Sequence, residues 1–386
     1  MKDHLIKIKG EYSIKVIDNV KEFSELGDIW NSLAFQQGFY EPFLSFEWFE
    51  IWLKHFLEDN KLLILLLYKN DELVTIAPFL RKEEKFKGIN VRKIEFIGNL
   101  YSPIQTFFFQ ETNNELKEKQ IDIVLQFLRQ INNSWDVIDL HSVPVENGTF
   151  NLIQKAVSKI DFRTVENTCF YNWYSDGISY TSDLYFENRS RNLRASIKKN
   201  LKKAKDAGDL KFNIIKNSKD LNKYIDLFFE IYQKSWKQKE RFGPNFLSDW
   251  IRIISQKGWL RFGIVLLDDS PISSGFATVC NGHAYLQKSA YDSNYSSLGP
   301  GSIWLSGMIK YVIDIDSVSE IDFLKGNEEY KKLWAEKMRE RKGIYIFNNN
   351  LKGKILYLLM QNILPTINRN NYLRAFKKFI ISKLTK

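Results

Sequence analysis

Two stretches in the second half of the chain combine residue types that can do chemistry on a charged ligand. The first runs Tyr291, Asp292, Ser293, Asn294, Tyr295, Ser296, Ser297, Leu298, Gly299, Pro300, Gly301, Ser302. It reads as the end of a strand, a short loop with two glycines, and the start of a helix. A helix start of this kind exposes backbone N–H groups at the positive end of the helix dipole, which suits phosphate or pyrophosphate. A tight turn with proline opening the helix is the structural alternative. The first half has no such loop, because Tyr101, Ser102 and Pro103 lead instead into Thr106, Phe107, Phe108 and Phe109. One half is thus expected to bind an anionic donor while the other has a different task. The second stretch, IDFLKGNEEYKKLW from Ile321 to Trp334, turns at Gly326 from a strand into a segment where Tyr330 and Lys331 could face the end of the sheet. A solvated lysine pair on a surface turn fits the same spacing.

Motifs that are missing narrow the chemistry. The sequence contains no G-x-x-x-x-G-K-[ST], no G-x-G-x-x-G, no G-x-S-x-G and no H-E-x-x-H, so kinase, dehydrogenase, serine hydrolase and zinc protease readings lose their support. The four histidines, His4, His55, His141 and His283, and the two cysteines, Cys169 and Cys280, have no zinc-type spacing, and no metal is expected. His283 falls in an Asn281-Gly282 turn and is expected to face solvent.

Elements that would position these residues recur along the chain. A strand at Leu62–Tyr68, a turn at Asn70-Asp71-Glu72, strands at Leu73–Leu80 and Val91–Ile97, a helix from Asn114 to Ile131 and a strand at Trp135–His141 form one series. Leu260–Leu267, a turn at Asp268-Asp269-Ser270, strands at Ile272–Cys280 and Ala284–Tyr291, a helix from Gly301 to Ile313 and a strand at Ile321–Leu324 form the other. Hairpin, strand, helix and strand in both halves predict a duplicated α/β domain. A helix over Ser182–Ala207 joins the halves, with Leu193, Ile197 and Leu201 on one face and Gly208 at its end. Ser45 caps a helix through FEWFEIWLKHF, and Leu221–Lys237 is helical with Trp236 on its apolar stripe. Trp48, Trp52 and Trp236 are expected in the core.

The chain has 386 residues, 44% hydrophobic, 15% aromatic and 26% charged, enough for two compact domains and not for a disordered one. Its longest aliphatic run, Leu62–Leu67, is far shorter than the roughly 20 residues of a membrane helix. With no signal-peptide pattern and few cysteines, a reducing cytoplasm is the expected location. The net charge of +10 is concentrated, with eight basic residues and no acid in 189–205 and eight more and no acid in 351–386. Such clustering points to phosphate, nucleic acid or an anionic membrane as a neighbour, although a solvated helix face explains the first segment equally. In the tail, apolar residues such as Leu356, Phe376 and Ile380 lie among the basic ones, as in an interfacial amphipathic helix or a helix docked on the body.

AYDSNYSSLGPGSIWL followed by IDFLKGNEEYKKLW resembles the carboxy-terminal half of GNAT-type acyltransferases related to the CelD cellulose-biosynthesis proteins and, more distantly, to the Fem aminoacyltransferases. PFLSFEWFEIW resembles their amino-terminal signature, and RNLRASIKKNLKKAKDAG and YQKSWKQK, with Arg191, Arg194 and Trp236, their middle signatures. The ordered set spans residues 28 to 335. The resemblance implies tandem duplicated GNAT-like domains, each a mixed sheet flanked by helices: 1–180 on the acceptor side, 181–350 binding the donor, and 351–386 a basic amphipathic tail. It implies acyl transfer from acyl-CoA, acetyl-CoA first, to an amine, with an amino sugar in a surface-polysaccharide pathway as acceptor, free or linked to nucleotide or lipid. Fem relatives take an aminoacyl group from tRNA, which is the alternative donor; DNA is not an expected partner. A non-catalytic scaffold whose basic segments attach to an anionic membrane or to a polysaccharide-synthesis partner is the reading from another class.

Carried over by position, Gly299, Gly301 and Ser302 match the pyrophosphate loop, Tyr291 and Asp292 the end of the central strand, and Tyr330 and Lys331 the aromatic-lysine pair; Tyr291, Tyr330, Arg191 and Arg194 are expected to bind substrate. The arginine or glutamine that usually opens the loop is Ser296 here. In the chemistry that follows, Asp292 takes or orients the amine proton, Tyr295 serves as acid toward the leaving thiolate, and Lys331 stabilises charge at the carbonyl or phosphate. Each has a bland counterpart: a capping aspartate, a packed tyrosine, a surface lysine.

Overall fold

A computed structural model describes residues 5–36, 41–217, 219–237, 244–326 and 328–363. In chain order its elements begin with β1 (Leu5–Lys9), β2 (Tyr12–Ile17), α1 (Val20–Ser24), α2 (Gly27–Gln36), α3 (Phe46–Phe56), β3 (Lys61–Lys69), β4 (Glu72–Phe86) and β5 (Ile89–Phe96). Next come β6 (Phe108–Phe109), α4 (Asn114–Gln130), β7 (Val137–Pro144), α5 (Thr149–Ser158), β8 (Arg163–Ser175), α6 (Ser182–Glu187), α7 (Arg191–Ala207) and β9 (Leu210–Ile215). The remainder is α8 (Leu221–Lys234), α9 (Pro244–Gln256), β10 (Leu260–Leu267), β11 (Ser270–Cys280), β12 (His283–Tyr291), α10 (Pro300–Asp314), β13 (Glu320–Lys325), α11 (Glu329–Trp334), β14 (Lys337–Phe347) and α12 (Leu351–Leu358).

These elements gather into two compact units, one of Met1–Phe39, Leu57–Cys169 and Arg341–Lys386, the other of Tyr40–Phe56 and Phe170–Glu340. Neither is a contiguous half, in contrast to boundaries near 180 and 350. The reason is packing. The aromatic face of α3 stacks inside the second unit, where the Trp48 ring lies 4.8 Å from Trp250 and 5.3 Å from Phe246. Residues 341–347 of β14 pair antiparallel with β7 and complete the first unit's sheet.

The duplication is visible strand for strand. In the first unit β2, β3, β4 and β5 form an antiparallel meander, β5 then pairs parallel with β7, and β7 antiparallel with β14. In the second, β9, β10, β11 and β12 form the meander, β12 pairs parallel with β13, and β13 antiparallel with β8. A helix crosses over between each parallel pair, α4 in the first unit and α10 in the second, as parallel neighbours require. The hairpin turns Asn70-Asp71, Asp268-Asp269 and Asn281-Gly282 all have positive φ at both central residues, which matches the strand twist and suits Asn, Asp and Gly.

The first unit's main core lies under α4 and α5, around Ile121, Val124, Trp135, Ile138 and Phe150. The second unit's lies under α10, whose Trp304 indole donates to the Gly263 carbonyl at 3.0 Å. Two helix boundaries differ from the sequence expectation. The linking helix divides into α6 and α7, because the Ser190 hydroxyl caps a new start by accepting from the Leu193 N–H at 3.2 Å. α8 stops at Lys234, where Ser235 turns extended and its hydroxyl donates to the Tyr232 carbonyl at 2.6 Å. Trp236 therefore leaves the helix and is 72% exposed, whereas Trp48 and Trp52 are buried as expected. Ser45 caps α3, accepting from the Trp48 N–H at 3.3 Å. The start of the tail is docked: Leu356 of α12 is fully buried with Val91, Val137 and Phe347 of the first unit. Residues 364–386, which carry Arg369, Arg374, Lys377, Lys378, Lys383 and Lys386 of the expected membrane segment, lie outside the described residues. No helix among the described residues is long and apolar enough to cross a membrane.

Candidate active site

The parallel pair β12 and β13 is short. Partners run only from His283 with Glu320 to Tyr285 with Asp322, after which the strands part. β12 continues along β11, and its register with that strand slips so that Gln287 has no partner there. A bulge leaves its extra residue outside the ladder and bends the strand. β13 ends in a turn held away from ordinary strand geometry, with Leu324 at φ +57° and Gly326 at φ +131°.

A clamp of buried charge sets the fork. Arg339 hydrogen-bonds Glu320 at 2.8 Å and Asp322, and its guanidinium lies 4.5 Å over the Tyr174 ring. Asp322 also accepts from the Leu324 N–H. Burial lowers the Arg339 guanidinium's proton affinity, but Asp322, Glu41 and Glu320 outweigh it and hold the group charged. Burial pushes the Glu320 carboxyl up, against Arg339.

Beyond the fork the strands enclose a cavity of about 610 Å³, bounded by the ends of β12 and β13, the first turn of α10, α7, α11 and the chain just after α8. Four lysines, Lys237, Lys288, Lys325 and Lys331, line it against one carboxylate, Glu328. Its walls are aromatic, with Tyr232, Trp236, Tyr291, Trp304, Tyr330 and Trp334. A positive, ring-lined cleft suits an anionic ligand with a flat or apolar part.

Of the residues singled out from sequence, Tyr291, Gly301, Ser302, Tyr330 and Lys331 meet here. Gly301 packs on the Tyr291 ring, and a Cβ at that position would lie 3.2 Å from Tyr291 Cδ1. The other five do not line the cavity. Asp292 is buried and caps the turn Ser293–Leu298, accepting from the Asn294 N–H at 2.9 Å. Tyr295 packs against the core under α10. Gly299, at φ +67°, closes that turn and starts α10 against Asn200. Arg191 and Arg194 are exposed on α7, whose Leu193 and Ser196 face the cavity instead.

The expected amide cradle is also narrower. The Gly299 N–H donates to Ser296 at 3.1 Å and the Ser302 N–H to Gly299 at 3.0 Å, while Pro300 has no N–H. That leaves the Gly301 N–H as the open donor of the first turn. Lys331 is 5% exposed and its ammonium is spoken for, at 2.7 Å from the Lys325 carbonyl, 3.4 Å from that of Leu324 and 3.1 Å from Glu328. It ties α11 to the strained end of β13. Sequence reasoning missed Lys237, Gln287, Lys288 and Trp334. The polar run Gln287-Lys288-Ser289 within an otherwise apolar strand was a usable signal for the bulge.

Residues 191–332, which include the fork, α7 and most of α11, match the family described as an acetyltransferase (GNAT) domain. The match lies within the second unit, whose strand-pairing order the first unit repeats. Two solved structures are similar along most of the chain. FemX is 12% identical with a TM-score of 0.58, covering 87% of this chain and 98% of its own. A conserved protein of unknown function from Bacteroides thetaiotaomicron VPI-5482 is 11% identical with a TM-score of 0.53, covering 86% of this chain and 100% of its own. At these identities the likeness is one of fold. No curated protein matches the sequence.

Proposed function

We propose that the protein is an N-acyltransferase whose second unit takes an acyl-CoA, acetyl-CoA first, into the cavity at the β12/β13 fork and transfers the acyl group to an amine. The observation that carries this reading is the cavity itself: a basic, aromatic cleft between two parallel strands, in the segment matched by the GNAT domain. Lys237, Lys288 and Lys325 supply cations for the donor's phosphates and Gly301 the open backbone amide. The acceptor nitrogen adds to the thioester carbonyl and loses a proton, and the thiolate leaves. The Gln287 backbone N–H, outside the ladder while the side chain is held by Trp250 and Thr278, is the candidate donor to the carbonyl oxygen as it gains charge. Lys331 acts by positioning the β13 turn. An amino sugar of a surface-polysaccharide pathway, carried on nucleotide or lipid, is the acceptor that the CelD-like resemblance supports, and a cytoplasmic enzyme at the inner face of a membrane is the location consistent with it.

A second donor, aminoacyl-tRNA, is favoured by one observation: α7 flanks the cavity through Leu193 and Ser196 while Arg191, Arg194, Lys198, Lys199, Lys202 and Lys203 stay exposed beside it. Melting and titration with each donor distinguish the two readings. Stabilisation by acetyl-CoA that Lys288→Ala weakens, with mass-spectrometric detection of an acetylated amino sugar, is the expected result. Binding of aminoacyl-tRNA with steep salt dependence, without any response to acetyl-CoA, selects the second. Binding of neither leaves a non-catalytic scaffold.

A further inference from the structure

We propose that the first unit holds a divalent transition-metal site formed by Glu95, Asp139 and His141, with Zn²⁺ as the ion to test. These side chains project from the same face of the parallel pair β5 and β7, where Glu95 is the register partner of Asp139. Their ligand atoms all lie within 4.8 Å of one another.

The decisive geometry is between Asp139 and His141. Asp139 Oδ1 and His141 Nδ1 face each other at 3.4 Å as a carboxylate–imidazole pair, and neither buried atom has a hydrogen-bond partner beyond that pairing. Asp139 itself is 6% exposed. With the imidazole neutral and its Nδ1 unprotonated, both atoms are acceptors, and a cation between them satisfies both. Ligands about 2.0–2.1 Å from a tetrahedral zinc lie about 3.3–3.4 Å from each other, so the observed spacing is that of two ligands on one ion.

The surrounding charges fit the same reading. Lys82 meets Glu95 Oε1 at 2.6 Å and Glu84 at 3.0 Å, and Lys93 meets Glu95 Oε2 at 2.5 Å, Glu84 at 2.6 Å and Asp139 Oδ2 at 3.5 Å. Three carboxylates therefore face two ammonium groups, and with a neutral imidazole one negative charge is left over. The lysines hold the carboxylates in place, as second-layer partners do around metals, and leave Asp139 Oδ1 open. A mixed oxygen and imidazole set favours zinc-like ions over calcium or magnesium.

The fold also makes room. Register between β7 and β14 slips at this point, so that His141 and Ser142 oppose Gly343 alone. A Cβ on Gly343 would lie 3.0 Å from Asn167 Oδ1 and 3.4 Å from His141 Cα. Asn167 Oδ1 is a further buried acceptor without a partner beside this slip in register. The His141 side chain keeps 29% of its exposure, which gives an ion a way in.

The test is calorimetric titration of the chelator-treated full-length protein with ZnCl₂, with melting curves in parallel. One equivalent should bind the wild type and raise its melting temperature. His141→Gln and Asp139→Asn should each weaken binding at least tenfold, and His141→Cys, which restores a zinc ligand, should recover it. Absence of stoichiometric binding to the wild type overturns the proposal. So does equal binding by wild type, His141→Gln and Asp139→Asn.

Discussion

Gly301 sits where the ring of Tyr291 and the open amide of α10 meet, and its lack of a side chain is what keeps the two accessible. With a Cβ already 3.2 Å from the ring, the branched side chain of Gly301→Val must push Tyr291 or fill the cavity. Donor affinity should fall at least tenfold, about 1.4 kcal/mol, with the melting temperature nearly unchanged. Calorimetry that finds equal acetyl-CoA affinity would move the donor away from this turn. Asp292 behaves differently, because its carboxylate caps the neighbouring turn and does not reach the cavity. Asp292→Ala should cost about 0.5–2 kcal/mol of stability while leaving kcat within a fewfold. A collapse of kcat with unchanged stability would return Asp292 to the chemistry. The sequence offered both roles for this residue; choosing between them needed the distance to Asn294, which no spacing rule supplies.

Among elements, the fork depends on Arg339 of β14 reaching the carboxylates of β13. Arg339→Leu leaves Glu320 and Asp322 buried without their cation, which should cost about 3–5 kcal/mol in denaturant unfolding. A cost under 1 kcal/mol would show the clamp to be dispensable. In the first unit Asp136 joins β5 to the start of α12: its carboxylate accepts from the Arg92 side chain at 2.7 Å and from Asn350 at 2.8 Å. Burial works to raise this carboxyl, but hydrogen bonds from Arg92 and Asn350 and the Arg92 charge hold it below the ordinary aspartate value. Because the folded value is depressed, the resulting stability is complete above the unfolded value near pH 4 and drains away as pH falls through the folded one. The stability difference between wild type and Asp136→Asn should therefore be widest above about pH 5 and shrink toward pH 2. A difference independent of pH would contradict this account. The strands and hairpin turns were legible from apolar runs bounded by the Asn70-Asp71, Asp268-Asp269 and Asn281-Gly282 pairs. The premature end of α8 was not, since Trp236 continues the apolar stripe and only the Ser235 hydroxyl bond shows where the helix stops.

For the whole molecule, the tail offers a clean division. Ending the chain after Asn350 removes Leu356 from Val91, Val137 and Phe347 and should lower the melting temperature by several degrees. If the remaining basic segment attaches the protein to anionic lipid, only the full-length chain will sediment with such vesicles, and raising salt will release it. Equal, salt-independent sedimentation of full-length and 363-residue chains would remove the membrane from the account. The sequence by itself determined the α/β class, the duplication and the glycine turn beside Tyr291, because alternation, hairpin turns and helix starts are written in neighbouring residues. Tertiary structure alone decided that α3 packs in the second unit and residues 341–347 complete the first, since aromatic stacking and strand pairing act between segments hundreds of residues apart. It also decided which of the ten named site residues share a cavity, and it brought Glu95, Asp139 and His141 within one ion's reach. A parallel strand pair joins side chains that a helical crossover separates in sequence, so no local pattern records their meeting.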